Sequence, residues 1–296
     1  SKRYPRFEGH FAGEVLHAHD YRVPEPFVDK RVVVVGIGNS AVDIACELSR
    51  VCRKTWLSTR RSAYILPKYI FGRPTDHVIS PVASFLPLGV SRLLAHGLLA
   101  VTTGDQRRYG VPRPEHKLFQ EHPTMSPELL ARVGHGDVTI EPDVERLEEG
   151  AVRFVDGSRV EADVLIVATG YNIEFPFLDP ALVPVQENRV ELFLNVVPPK
   201  RRGLYFIGLV QPLGPIMPLA EAQCEWVSDL VVGRAALPSE AAMRRQIERY
   251  QRGMRERYIA SSRHTIQVDF YPYLFSLRRE QLAGRARALA RSIWGR

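Results

Sequence analysis

The chain has 296 residues and little cysteine: three in all, Cys46, Cys52 and Cys224, with neither a Cys-x-x-Cys pair nor metal-ligand spacing. Dithiol reduction needs two thiols within disulfide reach, so the pattern argues against that chemistry. An odd number of thiols without a framework points to a reducing compartment, and the expected localisation is cytoplasmic. Cys46 and Cys52 read as packing residues near one helix. Long apolar runs are also missing. The most apolar window, Val78 to Val101, is interrupted by Pro81, Pro87, Gly89, Arg92, His96 and Gly97, so no membrane span is expected, and no signal peptide is visible. The net charge of +7 suits anionic ligands, but it is spread along the chain with most of the excess after Arg244. No compact basic patch with interleaved aromatics stands out, which argues against a nucleic-acid partner. A persuasive Ser/His/Asp arrangement is absent too, and the 45% hydrophobic content is that of a globular protein with a real core.

What is present is concentrated in Arg31–Ala45. Four valines, Val32 to Val35, read as a strand buried on both faces, as in a covered parallel sheet. Gly36 and Gly38 then open a helix. The first glycine allows a tight turn, the second lets the backbone approach a pyrophosphate, and Ala41 stands where a small residue permits close helix–strand packing. The free N–H groups and partial positive charge of a helix start favour a phosphate. Gly36, Gly38, Asn39, Ser40 and Ala41 are therefore assigned to the pyrophosphate turn. After the helix, Thr55–Ser58 reads as a strand ending in Thr59-Arg60-Arg61. An NAD site would carry an acidic residue here for the ribose 2′-OH. Two arginines stand there instead, and a guanidinium offers a fixed fork of donors to a phosphate. Thr59, Arg60 and Arg61 are assigned to a 2′-phosphate, and NADP is expected over NAD.

Elsewhere the pattern alternates strands and helices. About thirty residues before the glycine turn read as a connector. The part of the apolar window before Ser91 reads as a Pro-broken loop and Ser91–Leu99 as a short helix; another helical piece lies near Pro127–Val133. Strands are predicted at Asp137–Ile140, Ala151–Phe154, Arg159–Ala162 and Asp163–Ala168, with hairpin chemistry at Asp156-Gly157. Leu204–Ile207 reads as a further buried strand without a partner sheet downstream. Helices follow at about Leu219–Val232, from Glu240 with Ser239 as N-cap, and in the tail from Phe270 to Arg296.

The connector contains Phe11-x-Gly13-x-x-x-His17-x-x-x-Tyr21, which resembles the identifying motif of the flavin-containing monooxygenases. Later stretches agree in kind and order. Gly36–Ala41 resembles that family's NADPH motif, Ser58–Arg61 its 2′-phosphate turn, and His122-Pro123-Thr124 a stretch of its inserted region. Ala168-Thr169-Gly170-Tyr171 resembles its returning strand, and Phe206–Leu209 with Gln211-Pro212 its last flavin-side strand. Tyr21-Arg22 looks like the heteroatom-oxidising branch rather than the Baeyer–Villiger one. Asp163 to Pro176 is also close to a pattern of N-hydroxylating relatives, with Val167 departing from it.

The resemblance implies an α/β fold: a Rossmann-like NADPH-binding domain inserted in an incomplete FAD-binding domain, with C-terminal helices. Residues 1–29 would be linker and FAD-domain remnant, 30–171 the NADPH domain with a helical insertion at about 72–135, 172–235 the C-terminal part of the FAD domain, and 236–296 a helical extension. It implies FAD and NADP as cofactors, with one oxygen atom passing from a flavin C4a-hydroperoxide to a sulfur or nitrogen nucleophile of a small molecule; the partners are that substrate and O2. Thr169 and Gly170 would shape the crossover between domains, and Gln211 would lie beside the isoalloxazine at a helix N-terminus. The family's first GxGxxG unit does not occur in this sequence, so a fragment is expected. A homodimer is compatible with the resemblance. A non-catalytic NADPH-binding fragment and a Baeyer–Villiger or N-hydroxylating enzyme stay open as alternatives.

Overall fold

The computed structural model describes residues 1–258 and 265–294. They divide into two compact units, Ser1–Thr75 with Arg92–Asn172, and Asp76–Ser91 with Ile173–Arg296.

Short strands β1 (Glu8–Gly9) and β2 (Glu14–His17) open the first unit, followed by β3 (Arg31–Val35), helix α1 (Asn39–Leu48) and β4 (Lys54–Ser58). After the helical region come β5 (Val138–Glu141), β6 (Val144–Glu148), β7 (Ala151–Phe154), β8 (Arg159–Glu161) and β9 (Val164–Val167). Five strands form a parallel sheet in the order β2-β9-β3-β4-β5, with Val32 opposite both Val164 and Thr55. The central position of β3 explains its valine run. Val32 and Val34 pack with Ala41, Val42, Ala45 and Leu48 of α1, while Val33 and Val35 pack on the other face with Phe11, Val152, Phe154 and Leu165. Successive side chains of a strand point to opposite faces, so a strand covered on both sides favours apolar residues at consecutive positions. The second face is covered by a small sheet in the order β1-β6-β7-β8. Its β7–β8 hairpin turns at Gly157, with φ +85°, as the Asp156-Gly157 pair predicts.

The connector contributes more than linkage. Residues 14–17 form the edge strand β2, paired to β9 in parallel register. The reading of a Pro-broken loop before Ser91 is corrected: α2 (Thr75–Phe85) runs through Pro81, and α3 (Leu88–Thr102) extends the expected helix at both ends. A proline inside a helix removes one backbone hydrogen bond but does not forbid helix on either side of it. Helix α4 (Leu129–Gly134) matches the piece expected near it.

In the second unit, α5 (Met217–Val231), α6 (Glu240–Arg257) and α7 (Phe270–Trp294) enclose a core around the fully buried Trp226, which meets Phe193 edge-on. Ser239 caps α6 by accepting from the Ala242 N–H, and Gly233, at φ +77°, follows α5. The end of the expected tail helix, Gly295 and Arg296, lies outside the described residues. Strands β10 (Gln211–Leu213) and β11 (Gln267–Asp269) pair in parallel. Leu204–Ile207 is not a strand: the segment is half-buried to exposed, and its Phe206 N–H donates to the Val196 carbonyl at 2.9 Å. Among the described residues no ladder partner runs beside it, and apolar and aromatic content alone does not make a strand.

Candidate functional site

The candidate site is the carboxyl end of the parallel sheet, where β3 meets α1. Gly36 takes φ +127°, and a Cβ built there would lie 2.7 Å from the Ala168 carbonyl oxygen. Its N–H donates to the Ser58 carbonyl at 2.9 Å, tying the turn to the end of β4. Gly38 is the extended N-cap residue of α1, with no side-chain cap and no acidic residue in the first turn. The N–H groups of a helix's first turn have no intrahelical acceptor. Here no carboxylate competes for them, and Asn39 and Ser40 are exposed while Ala41 is fully buried against the sheet.

Two other segments shape this turn. The Thr124 hydroxyl donates to the Ile37 carbonyl, and the Met125 N–H donates to Asn39 Oδ1 at 2.9 Å. The His122-Pro123-Thr124 stretch therefore braces the glycine turn through Thr124. Asn39, assigned to the pyrophosphate by its neighbours in sequence, uses its side-chain oxygen on the scaffold. On the other side stands the Ala168-Thr169-Gly170 segment. Thr169 Oγ1 donates to the Arg3 carbonyl at 2.7 Å, and the Gly170 carbonyl, in a residue at φ +85°, accepts from the Arg3 N–H at 3.1 Å and faces His17 Nε2 at 3.2 Å. His17 is 1% exposed, and its Nδ1 accepts from the His19 N–H at 3.0 Å. That pair of contacts assigns the neutral tautomer with the proton on Nε2. Burial holds the imidazole below its ordinary value, against the opposing effects of the Gly170 carbonyl and Asp20.

The other motif residues are scaffold as well. Phe11 is core, a Cβ at Gly13 would lie 2.5 Å from the Asp163 carbonyl oxygen, and Tyr21 donates to Glu47 at 2.8 Å while stacking on Phe27.

The turn after β4 separates its three candidates. Thr59 is buried, its N–H donating to the Glu141 carbonyl at 2.9 Å and its hydroxyl accepting from the Ser62 N–H at 3.0 Å. Arg60 is exposed and makes no ion pair among the described residues. Arg61 faces Glu121 Oε1 at 3.2 Å. Of the three side chains, Arg60 is the one free to meet a phosphate.

Gln211 belongs to the second unit. It begins β10, its N–H donating to the Ile266 carbonyl at 2.8 Å, and residues 212–216 separate it from the first residue of α5. Its expected place at a helix N-terminus is therefore corrected: Gln211 lies in a strand, and the chain turns at Gly214, with φ +140°, before α5 begins. The preceding loop is held by a buried relay absent from the sequence reading. The Gly208 N–H donates to Gln223 Oε1 at 2.7 Å, Gln223 Nε2 to Tyr273 Oη at 2.6 Å, and Tyr273 Oη to the Leu194 carbonyl at 2.6 Å. The signal for it was Gln223, a polar residue on the apolar face of α5.

Among the described residues no group of three or more His, Cys, Asp or Glu side chains could hold a metal ion, and no helix is long and apolar enough to cross a membrane. Cys46 is buried and Cys52 half-buried, and burial pushes both thiols up to about 11.

A covered parallel sheet with a glycine turn leading into an open helix N-terminus is a Rossmann-like nucleotide-binding unit. Residues 2–283 match the model of the flavin-binding monooxygenase-like family, and the chain belongs to that family. It is 40% identical over 268 residues to flavin-containing monooxygenase 5 of Oryctolagus cuniculus, covering 88% of this chain and 50% of the relative. Dimethylaniline monooxygenase [N-oxide-forming] 2 of Rattus norvegicus is 34% identical over 285 residues, covering 93% of this chain and 53% of the relative. The chain thus spans about half the length of the curated relatives it matches. In fold it is similar to S-allyl-L-cysteine S-oxygenase from Allium sativum, with a TM-score of 0.60 at 23% identity, over 99% of this chain and 57% of that one.

Proposed function

We propose that the first unit holds NADPH, with Gly36, Gly38, Asn39, Ser40 and Ala41 around the pyrophosphate and Arg60 on the 2′-phosphate. We further propose that the protein acts as a monooxygenase, using FAD and O2 to oxygenate a sulfur or nitrogen nucleophile of a small molecule. On this reading the first unit, with residues 1–29 folded into it through β2, is the NADPH domain, and residues 173–235 of the second unit belong to the flavin side. The observation that carries the nucleotide reading is Gly36: a side chain there would meet the Ala168 backbone at 2.7 Å, so the chain keeps a bare backbone beside an uncapped helix start. That cradle fits a pyrophosphate, which the first-turn N–H groups would bind and the helix dipole would favour. Membership of a monooxygenase family and a relative named for forming N-oxides support the reaction class.

FAD, when bound, supplies the oxygen-activating chemistry, and protein supplies position and water exclusion. Gln211 is the candidate contact in this chain, and the described residues hold no second strand–glycine–helix turn. The contribution derived for this chain is accordingly nucleotide binding: backbone N–H donors at α1, an unpaired guanidinium at residue 60, and a neutral, buried His17 fixing the Gly170 carbonyl.

Calorimetric titration tests the nucleotide reading. NADPH is expected to bind more tightly than NADH, and Arg60→Ala to lose about 1–3 kcal/mol for NADPH alone, the range for an unmatched charged hydrogen-bond partner. Equal affinities for the two nucleotides, unchanged by Arg60→Ala, would exclude it. Flavin absorbance in the purified protein, with NADPH consumption stimulated by a thioether or tertiary amine, tests the reaction. Stimulation by ketones alone would favour the Baeyer–Villiger alternative, and colourless protein that binds NADPH without turnover the non-catalytic one.

A further inference from the structure

The two arginines of the 2′-phosphate turn differ in one respect that their sequence hides: one already has a buried partner. Arg61 Nη2 lies 3.2 Å from Glu121 Oε1, and the Glu121 side chain is 13% exposed. That oxygen is buried and accepts no hydrogen bond among the described residues, so the guanidinium is the cation that compensates it. The other titratable group facing the pair is His116. It is buried beneath Tyr64, and burial keeps its imidazole below the ordinary value, which makes it a poor substitute cation. A buried carboxylate stripped of its one cation is strongly destabilising, so Arg61 cannot leave Glu121 without loss to the fold.

The rest of the turn is held from the same side. Ser62, at φ +55°, donates through its hydroxyl to the Pro112 carbonyl at 2.6 Å. Gln106 donates to the carbonyls of Ala63 at 3.1 Å and Pro112 at 2.6 Å, and accepts from the Ile65 N–H at 3.3 Å. Thr59 closes the turn from within through Ser62.

We propose that Arg61 and Glu121 form a positioning clamp rather than a phosphate site: Glu121 holds Arg61 back, the clamp sets the turn, and Arg60 alone is presented to the 2′-phosphate. Glu121 is thereby a specificity-determining residue. This inference rests on the NADPH reading above and narrows it, because it withdraws Arg61 from the ligands that the sequence suggests.

The test uses 2′,5′-ADP and 5′-AMP as probes, with affinities by calorimetry and folding checked by thermal unfolding. Arg61→Ala strands the buried carboxylate and is expected to weaken 2′,5′-ADP about tenfold. Adding Glu121→Gln removes the stranded charge, and the double variant is expected to recover to within about threefold of the parent. A double variant as weak as Arg61→Ala would overturn the clamp, because the guanidinium itself would then be contacting the phosphate. Full affinity in Arg61→Ala would overturn it as well. Glu121→Gln alone removes the counter-charge, leaves a neutral acceptor beside the half-buried Arg61, and is expected to bind 2′,5′-ADP at least as tightly as the parent, with 5′-AMP unchanged; a tenfold loss would count against the proposal. Failure of the underlying reading looks different: 2′,5′-ADP and 5′-AMP would bind alike in the parent, and Arg60→Ala would change neither.

Discussion

Replacing Gly36 by alanine puts two separate penalties on one methyl group. The first is conformational. At φ +127° an L-residue is strained, at a cost of order 1–3 kcal/mol. The second is steric. The new Cβ would sit 2.7 Å from the Ala168 carbonyl oxygen, and real Cβ atoms essentially never come within 3.0 Å of a neighbour. The obstructing atom is backbone, and the Ala168 N–H is bonded to the Val35 carbonyl at 2.8 Å, so relief requires shifting β9 against β3. Overpacking of this kind typically costs about 1–3 kcal/mol. The expected loss is thus about 2–6 kcal/mol, a large share of a typical domain's stability. Gly157→Ala is the internal control: φ is +85° in the hairpin, but a Cβ there meets nothing within 4 Å. It should show the backbone cost of about 1–2 kcal/mol without the clash. Urea unfolding of the two variants, followed by circular dichroism, isolates the steric part as their difference. If they differ by less than about 0.5 kcal/mol, the scale of an ordinary surface substitution, the close approach does not constrain the turn. A variant of Gly36 that folds at parental stability and binds NADPH normally would refute the cradle argument outright.

Three further outcomes follow from the same geometry. Gln223→Leu leaves the Gly208 N–H without its acceptor and Tyr273→Phe strands the Gln223 amide; each is expected to cost about 1–3 kcal/mol, read from urea midpoints, and a neutral result for both would show that the relay is not holding the Gly208 loop. His17, His96 and His116 are all held below the ordinary value of 6.5, in each case chiefly by burial, so the folded chain binds fewer protons than the unfolded one near that pH. Their contribution to stability is present above about 6.5 and declines as the pH falls below it, so urea midpoints should drop from about pH 7.5 to 5.5; midpoints that rose on acidification would contradict the burial. With a disulfide-exchange reagent at neutral pH one thiol should react quickly, the exposed Cys224, because Cys46 and Cys52 are covered and have their thiols pushed up to about 11; fast reaction of Cys46 would show that α1 opens from the sheet.

What was legible in the sequence was whatever depends on local pattern. The valine run, the two glycines, the Asp156-Gly157 turn and the Ser239 cap each act within a few residues, and each appears where its pattern places it. What failed depended on partners. Leu204–Ile207 has strand composition, but a strand is defined by a ladder that composition does not report. Pro81 reads as a breaker, yet a helix tolerates losing one hydrogen bond where its other residues favour it. In the 2′-phosphate turn, Arg60 and Arg61 are indistinguishable by residue type and position. The carboxylate that separates them lies 60 residues further along, and only the folded chain brings it to 3.2 Å.

The same dependence on distant segments changes the meaning of the Phe11-to-Tyr21 motif. As a string it is a label that precedes the glycine turn. In the fold, β2 pairs with β9, and His17 at the end of β2 faces the Gly170 carbonyl just beyond the end of β9. Between them lies Ala168, whose carbonyl oxygen leaves Gly36 no room for a side chain. From the opposite side Thr124 fixes the Ile37 carbonyl. Three segments distant in sequence, around His17, Thr124 and Ala168, therefore set the conformation of one six-residue turn. A substitution at His17 that cannot donate at Nε2 leaves the Gly170 carbonyl with the Arg3 N–H alone, which lets the Ala168 segment shift away from Gly36. On this argument His17→Phe should weaken NADPH and NADH by the same factor, in contrast to Arg60→Ala, because it alters the cradle that both nucleotides share and not the phosphate that distinguishes them. Loss confined to NADPH in that variant would show that the motif acts on the 2′-phosphate turn and that the chain of contacts through Ala168 is not the route.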